Sequence, residues 1–225
     1  MVQAPCRTGL TGQDLTFIVR TLTSFPGDAA ALERLLADPG SLDVVLDDRA
    51  LHDALRDGTG LLDISPQLYF YISARHALRR QGVEGREVCD YVAGMLAAFT
   101  PRAYLEKTSA PAGARSFGYL SDMMTAIERA PAPQVFALQR FLADYALFLG
   151  GVFEDRVTAQ EGRRGAPGVP FYEAVGRGAY RAAAARPEAA RQHARRLLEE
   201  LAEAFREIRR ALHEMSDRVL HWSPA

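Results

Sequence analysis

The most apolar stretch of the sequence is QVFALQRFLADYALFLGGVF, residues 134–153, and we interpret it as the central helix of the fold. Outward from this stretch, no segment shows sustained alternation of apolar and polar residues. No Asn-Gly or Asp-Gly turn joins two β-branched runs. The pattern therefore predicts an all-α bundle of about 8–9 helices.

Helix start signals support this prediction. Thr11, with Asp14 three residues later, forms a capping-box pattern. Ser65-Pro66 places serine at the N-cap and proline at the first helical position. In the C-terminal segment 187–221, apolar residues recur in near-heptad steps of three and four from Ala190 to Val219. We therefore expect one long amphipathic helix there, about 50 Å in length.

The chain of 225 residues is long enough to bury a core as one domain, and no linker-like segment divides it. We therefore expect a single domain over residues 1–225. Residues 1–10 are expected to be flexible, and residues 101–116 and 156–170 are expected to form loops. The second loop is predicted from a cluster of glycines and prolines within residues 162–170.

Composition narrows the class of protein. The formal net charge is −1, so we expect no bulk attraction to nucleic acid or to anionic lipid. Cys6 and Cys89 are too few for a disulfide framework or a metal cluster, and a reducing cytoplasm is the expected location. The N-terminal residues lack the pattern of a signal peptide. The apolar run over residues 141–153 is shorter than the ~20 residues that span a bilayer.

Two charges interrupt apolar helix faces and define the first candidate site. Arg75 and Asp144 would each be costly to bury without a partner. We therefore predict that they meet across two packed helices, where Tyr71 and Tyr145 add hydroxyl groups. Such a pair is either the centre of a binding or catalytic pocket or a structural ion pair, and the sequence leaves both alternatives open.

A second candidate is the row formed by His213, Asp217 and His221, spaced four residues apart on the last helix. Two such residues can chelate zinc, but a catalytic site needs a further ligand from elsewhere. The row also aligns with charged residues typical of a solvated face, so we expect neither a metal nor another cofactor. No Gly-x-Ser-x-Gly nucleophile motif is present in the sequence, and whether the protein is an enzyme stays open.

The leading functional hypothesis comes from the C-terminal stripe. An apolar stripe of about 50 Å exceeds what a compact bundle of this size can cover, so we expect part of it to pack against another subunit or a partner. The sequence therefore favours a protein-interaction or scaffolding module that self-associates through its C-terminal helix. The alternative is a small-molecule-binding helical bundle or enzyme with a buried polar site around Arg75 and Asp144. Neither hypothesis includes a nucleic-acid or membrane partner.

Overall fold

The computed structural model describes residues 9–23, 25–58, 64–99, 120–164 and 166–219. These residues form thirteen α-helices and contain no strand, so the all-α prediction is confirmed for this part of the chain. In chain order the helices are α1 (Gly12–Leu22), α2 (Pro26–Leu36), α3 (Pro39–Leu46), α4 (Arg49–Arg56), α5 (Pro66–Arg80), α6 (Arg86–Phe99), α7 (Leu120–Arg129), α8 (Ala132–Val152), α9 (Glu154–Arg164), α10 (Val169–Ala184), α11 (Pro187–Arg191), α12 (Arg195–Glu203) and α13 (Phe205–Val219).

The helices group into two compact units. Among the described residues, the N-terminal unit contains those up to Arg80 together with Glu84–Ala97, and the C-terminal unit contains Gln81–Val83 and those from Ala98 onward. The single domain remains a prediction from the sequence. The helix count exceeds the expected number because segments that we predicted as one helix or as a loop form additional short helices.

In the N-terminal unit, one carboxylate connects the starts of two helices. The Thr11 hydroxyl oxygen accepts from the Asp14 backbone N–H at 3.2 Å, and Asp14 Oδ2 accepts from the Thr11 N–H at 2.8 Å, as the capping-box pattern predicts. Asp14 Oδ1 also accepts from the Ser65 N–H at 2.7 Å, and the Ser65 hydroxyl oxygen accepts from the Leu68 N–H at 3.1 Å. Through these hydrogen bonds Asp14, which is fully buried, joins the start of α1 to the start of α5. Helix α1 packs against α4, and α4 packs against α5.

In the C-terminal unit, α10 packs against α8 and α12, and α13 packs against α8. Glycines allow two of these close approaches. A Cβ atom placed on Gly176 of α10 would lie 2.2 Å from Cζ of the buried Phe205 ring. A Cβ atom on Gly151 of α8 would lie 2.8 Å from the Leu212 Cβ. The helices therefore approach to distances that a larger residue at either position would prevent.

The prediction of one long helix over residues 187–221 is wrong. The segment forms α11, α12 and α13, with a first break at Gln192–Ala194, where His193 has a φ of 53°, and a second at Ala204. Residues 192–194 and 204 contain neither glycine nor proline, so the sequence gives no stop signal there. Of the described members of the stripe, six are at most 3% exposed, whereas Leu197 is half-buried and Ala190 is exposed; the six are Ala194, Leu201, Phe205, Ile208, Leu212 and Met215.

The loop predicted over residues 156–170 is also wrong over most of its length. Residues 154–164 form α9, and α10 begins at Val169. Glu154 and Asp155 in the first turn of α9 suit a helix N-terminus, and Val157 is buried. The glycines and prolines that suggested a loop begin only at residue 162. The predicted loop over 101–116 lies outside the described residues, as does the predicted flexible terminus except for residues 9 and 10.

Helix α8 is the central apolar helix that the sequence predicts. By length and composition alone, Ala132–Val152 could cross a membrane, with a mean hydropathy of 1.3 over its most apolar window. However, 61% of that window is buried inside the protein, and the core helix of a soluble protein satisfies the same criteria. This helix is therefore weak evidence for a membrane location, and a cytoplasmic location stays a prediction.

Candidate functional site

Arg75 is buried, as its apolar neighbours indicated, but its partner is Asp47 instead of Asp144. Arg75 Nε donates to Asp47 Oδ1 at 2.8 Å, and Arg75 Nη2 donates to Asp47 Oδ2 at 3.3 Å. Arg75 Nη1 donates to the Glu84 carbonyl oxygen at 2.7 Å. The predicted pairing of Arg75 with Asp144 is therefore wrong. Asp47 directly follows the last residue of α3. It therefore does not lie on an apolar helix face, and only charges on such faces were considered as partners for Arg75.

The other predicted site residues have different surroundings. The Asp144 carboxylate accepts from the Tyr180 hydroxyl at 2.7 Å, and the Tyr145 ring lies parallel to the Phe141 ring with centroids 6.1 Å apart. These contacts belong to the C-terminal unit. Tyr71 belongs to the N-terminal unit with Arg75, one helical turn before it, and is fully buried. The four residues thus fall into two pairs, and a ligand-binding role for any of them stays a prediction.

Asp47 is the acceptor for a cluster of guanidinium groups. Besides Arg75, Arg86 Nη2 lies 2.8 Å from Asp47 Oδ2, and Arg79 Nη1 lies 3.7 Å from it. Burial of the carboxylate opposes its ionisation, but the hydrogen bond from Arg75 and the charges of the three arginines outweigh burial and lower the Asp47 pKa. Asp47 is therefore an anion whose charge the arginines already neutralise.

Next to this cluster, two histidines stack on each other. The rings of His52 on α4 and His76 on α5 lie 3.8 Å apart between centroids, at an interplanar angle of 16°. Desolvation lowers both pKa values. At His52, the Asp53 carboxylate raises the pKa, whereas the charges of Arg56 and Arg49 lower it. At His76, the charges of His52 and Arg80 lower the pKa further. Both rings therefore favour the neutral form more than an ordinary histidine does.

These groups line one cleft of about 360 Å³. Its lining comprises Leu46, Asp47, Asp48, Arg49, His52, Ile72, Arg75, His76, Arg79, Arg80 and Glu84, and we call it the arginine–histidine cleft. Four guanidinium groups face three carboxylates there, with Leu46 and Ile72 as the apolar part of the lining. The lining therefore carries a net positive charge when both histidines are neutral, and a larger one when either histidine is protonated.

No protein family, curated protein or solved structure matches the chain.

Sequence reasoning missed the histidine pair. Neither His52 nor His76 was among the candidate residues drawn from the sequence, yet the His52 side chain is only 17% exposed. One signal was present: Arg75 and Arg79, like His76 and Arg80, are four residues apart and mark a basic face on α5. Nothing in the sequence indicated that His52 would face the same side.

The remaining candidates do not form a comparable site. His213 Nδ1 lies 3.6 Å from a Glu154 carboxylate oxygen, and Glu154 also accepts a hydrogen bond from buried Arg209. The side chains of Asp217 and His221, which completed the predicted row, lie outside the described residues. Within the part of the chain that the structure describes, no group of three or more His, Cys, Asp or Glu residues could hold a metal ion.

A second cleft lies between α1 and α2 and has a volume of about 530 Å³. Its lining includes Leu15, Val19 and Leu36, with one cation, Arg20, and one anion, Glu33. It thus has fewer charged groups than the arginine–histidine cleft and lacks a titratable ring pair. The latter offers the more specific recognition chemistry.

Proposed function

We propose that the protein binds a small anionic molecule in the arginine–histidine cleft. The observation that supports this proposal is the convergence of four arginines and a stacked histidine pair on one cleft of about 360 Å³. Guanidinium groups suit the oxygens of carboxylates and phosphates because their planar N–H groups can form paired hydrogen bonds. The volume is in the range of pockets that hold small organic ligands.

The arginines of the cleft differ in how firmly they are engaged. Arg75 is held by short hydrogen bonds to Asp47 and to the Glu84 carbonyl oxygen, so its role is to shape the cleft. Arg79 is 48% exposed and makes looser ion pairs, 3.7 Å to Asp47 and 3.5 Å to Glu84. Arg49 is 81% exposed and lies 3.4 Å from Asp53. Arg79 and Arg49 are therefore the arginines that we expect to turn towards a ligand.

The histidines support an anion over a cation as the ligand. Nearby arginine charges oppose protonation at both rings, although at His52 the Asp53 carboxylate acts more strongly in the opposite direction. The cleft lining carries four guanidinium groups against three carboxylates, so an anion would offset its excess of positive charge, whereas a cation would add to it. This proposal keeps the Arg75 part of the polar site predicted from sequence and omits Asp144.

Titration calorimetry with inorganic phosphate and with citrate tests the proposal. We expect one of these anions to bind in the millimolar range or tighter, with affinity that falls as ionic strength rises. Arg79→Gln and Arg49→Gln should each weaken binding several-fold. Arg196→Gln is the matched control for Arg49→Gln. Both arginines pair with an acid four residues later and are strongly exposed, at 89% for Arg196, but Arg196 does not line the cleft.

Loss of binding in the control to the same extent, or absence of binding by both anions, would overturn the proposal. Circular dichroism should accompany each variant, because a change in helix content would point to unfolding instead of a lost contact. With intact helix content, a fall in affinity restricted to the two cleft variants identifies the site.

Self-association through the C-terminal segment stays a prediction. That prediction requires an uncovered apolar stripe; most of the described stripe residues from Ala194 onward are buried, although Leu197 is half-buried and Ala190 is exposed. Light scattering over a range of protein concentrations tests it directly: a molar mass that stays at 24.7 kDa excludes association in that range.

A further inference from the structure

The geometry of the histidine pair limits how many protons it can hold. With the ring centroids 3.8 Å apart, two imidazolium charges would repel each other strongly. Burial of the pair also opposes protonation, while the charged groups around it act in both directions. From α4, Arg49 and Arg56 oppose it and Asp53 favours it, while from α5 Arg80 opposes it. A bound anion would be a new attractive partner, so one proton per pair is the natural stoichiometry of the occupied cleft.

We infer that the ligand is a phosphate monoester bound as its dianion, and that a proton from the solvent moves onto the His52–His76 pair when it binds. This inference rests on the proposed function. The step is an addition of one proton from water or buffer to an imidazole nitrogen. It breaks no bond in the ligand and requires no other reactant.

The number of donors favours a phosphate over a carboxylate. Arg79, Arg49 and a protonated imidazole together offer more N–H groups than the two oxygens of one carboxylate can accept. A phosphate monoester presents three terminal oxygens and carries most of its second negative charge at neutral pH, since its second pKa is about 6. A cleft of about 360 Å³ is larger than a phosphate group, and Leu46 and Ile72 can contact the organic part of the ester.

The proton linkage has a definite sign. Because the pKa of both histidines is lowered below the ordinary value of 6.5, the pair is neutral at pH 7 in the unliganded protein. An anion raises the pKa, so affinity increases as the pH falls from the pKa of the liganded state to that of the unliganded state. For one linked proton the limit is about tenfold per pH unit. For a ligand that does not titrate, the affinity levels off below the unliganded pKa; for the ester, protonation of the phosphate below its second pKa of about 6 cancels the gain.

Phenyl phosphate and phenyl sulfate are suitable probes, because phenyl sulfate is a monoanion that does not titrate near neutral pH. Calorimetry of the full chain with phenyl phosphate at pH 7, in two buffers of different ionisation enthalpy, measures the protons taken up. We expect uptake approaching one proton per ligand. We also expect phenyl phosphate to bind at least about tenfold tighter than phenyl sulfate, and the sulfate to gain affinity at lower pH within that same linkage limit.

Imidazole resonances in NMR spectra give a second readout that needs no substitution. The resonances of His52 and His76 should move towards those of imidazolium on addition of phenyl phosphate at pH 7, while that of exposed His193, which does not line the cleft, should stay in place. In a double variant with His52→Gln and His76→Gln, proton uptake should fall to near zero even if some binding remains. If this variant loses its helix content, the measurements on the unmodified chain decide alone.

The outcomes separate the two proposals. Binding of phenyl phosphate without proton uptake, or equal affinity for phosphate and sulfate, would overturn this inference and leave anion binding intact. Binding of neither probe, together with no response to inorganic phosphate or citrate, would overturn both.

Discussion

Two glycines in one helix, Gly176 and Gly178 of α10, should respond in opposite directions to substitution by alanine. At Gly178, which is exposed, no described atom would lie within 4 Å of the new Cβ. Replacing glycine by alanine inside a helix stabilises it by about 1 kcal/mol, because less backbone entropy is lost on folding. Gly178→Ala should therefore raise the free energy of unfolding by about that amount.

At Gly176 the same helical gain meets a steric conflict. The new Cβ would lie 2.2 Å from Phe205 Cζ and 3.3 Å from the Ala146 Cβ, and Phe205 is fully buried. Carbon atoms pack at about 3.5–4.0 Å, so the ring or the helix must move by more than about 1 Å. Overpacking on this scale costs about 1–3 kcal/mol or more. We expect Gly176→Ala to be less stable than the unmodified protein by about 2 kcal/mol, and less stable than Gly178→Ala by about 3 kcal/mol.

Urea denaturation followed by circular dichroism measures both variants on one scale. A double-mutant cycle with Phe205→Leu tests the cause, because leucine lacks the two ring atoms nearest to the new Cβ. In the Phe205→Leu background, the cost of Gly176→Ala should shrink by at least about half. Equal stability of Gly176→Ala and Gly178→Ala, or a cost unchanged by Phe205→Leu, would refute the packing described for α10.

Three further predictions concern polar groups. Asp47→Asn should lower the free energy of unfolding by about 2–3 kcal/mol because it leaves buried Arg75 without its carboxylate, whereas Asp53→Asn at an exposed pair should cost less than about 1 kcal/mol in the same urea assay. Since the Asp47 pKa is lowered in the fold, this stabilisation is present above pH 3.8 and is lost as the pH falls below it, so acid titration of Asp47→Asn should show a shallower loss of stability. Asp14→Ala should lower the free energy of unfolding by about 2–3 kcal/mol. It should also speed hydrogen exchange at the backbone N–H groups at the starts of α1 and α5, and unchanged exchange there would contradict the bridging role of Asp14. Tyr180→Phe should cost about 1 kcal/mol by calorimetric melting, through loss of the hydrogen bond to Asp144, and no cost would contradict it.

The parts of the fold that the sequence predicts depend on local chemistry. The capping box at Thr11 and the start at Ser65-Pro66 involve residues within one helical turn, and both are found in the structure as the pattern indicates. The apolar run over residues 134–153 likewise predicts the central helix, because its composition alone distinguishes it from its neighbours.

The parts that were missed depend on tertiary contacts. Arg75 needed a buried counter-charge, and the sequence predicts that need but not the identity of the partner, since Asp47 is 28 residues away along the chain. The stacking of His52 on His76 depends on how α4 packs against α5, which no periodicity within either helix encodes. The break at His193 was missed for a related reason: apolar steps of three and four residues persist through it, so the pattern is the same for a straight helix and a bent one.

The two breaks in the C-terminal segment determine how much of its stripe can be used. A rigid rod of about 50 Å meets each neighbour over a short crossing, and the rest of its apolar edge faces water. With corners at residues 192–194 and at Ala204, α12 lies against α10 while α13 turns to lie against α8. At each corner one helix ends and the next begins in a new direction, so that successive parts of the apolar stripe contact different neighbours. The corners therefore allow an apolar stripe whose length suggested contact between molecules to pack against two helices of the same chain.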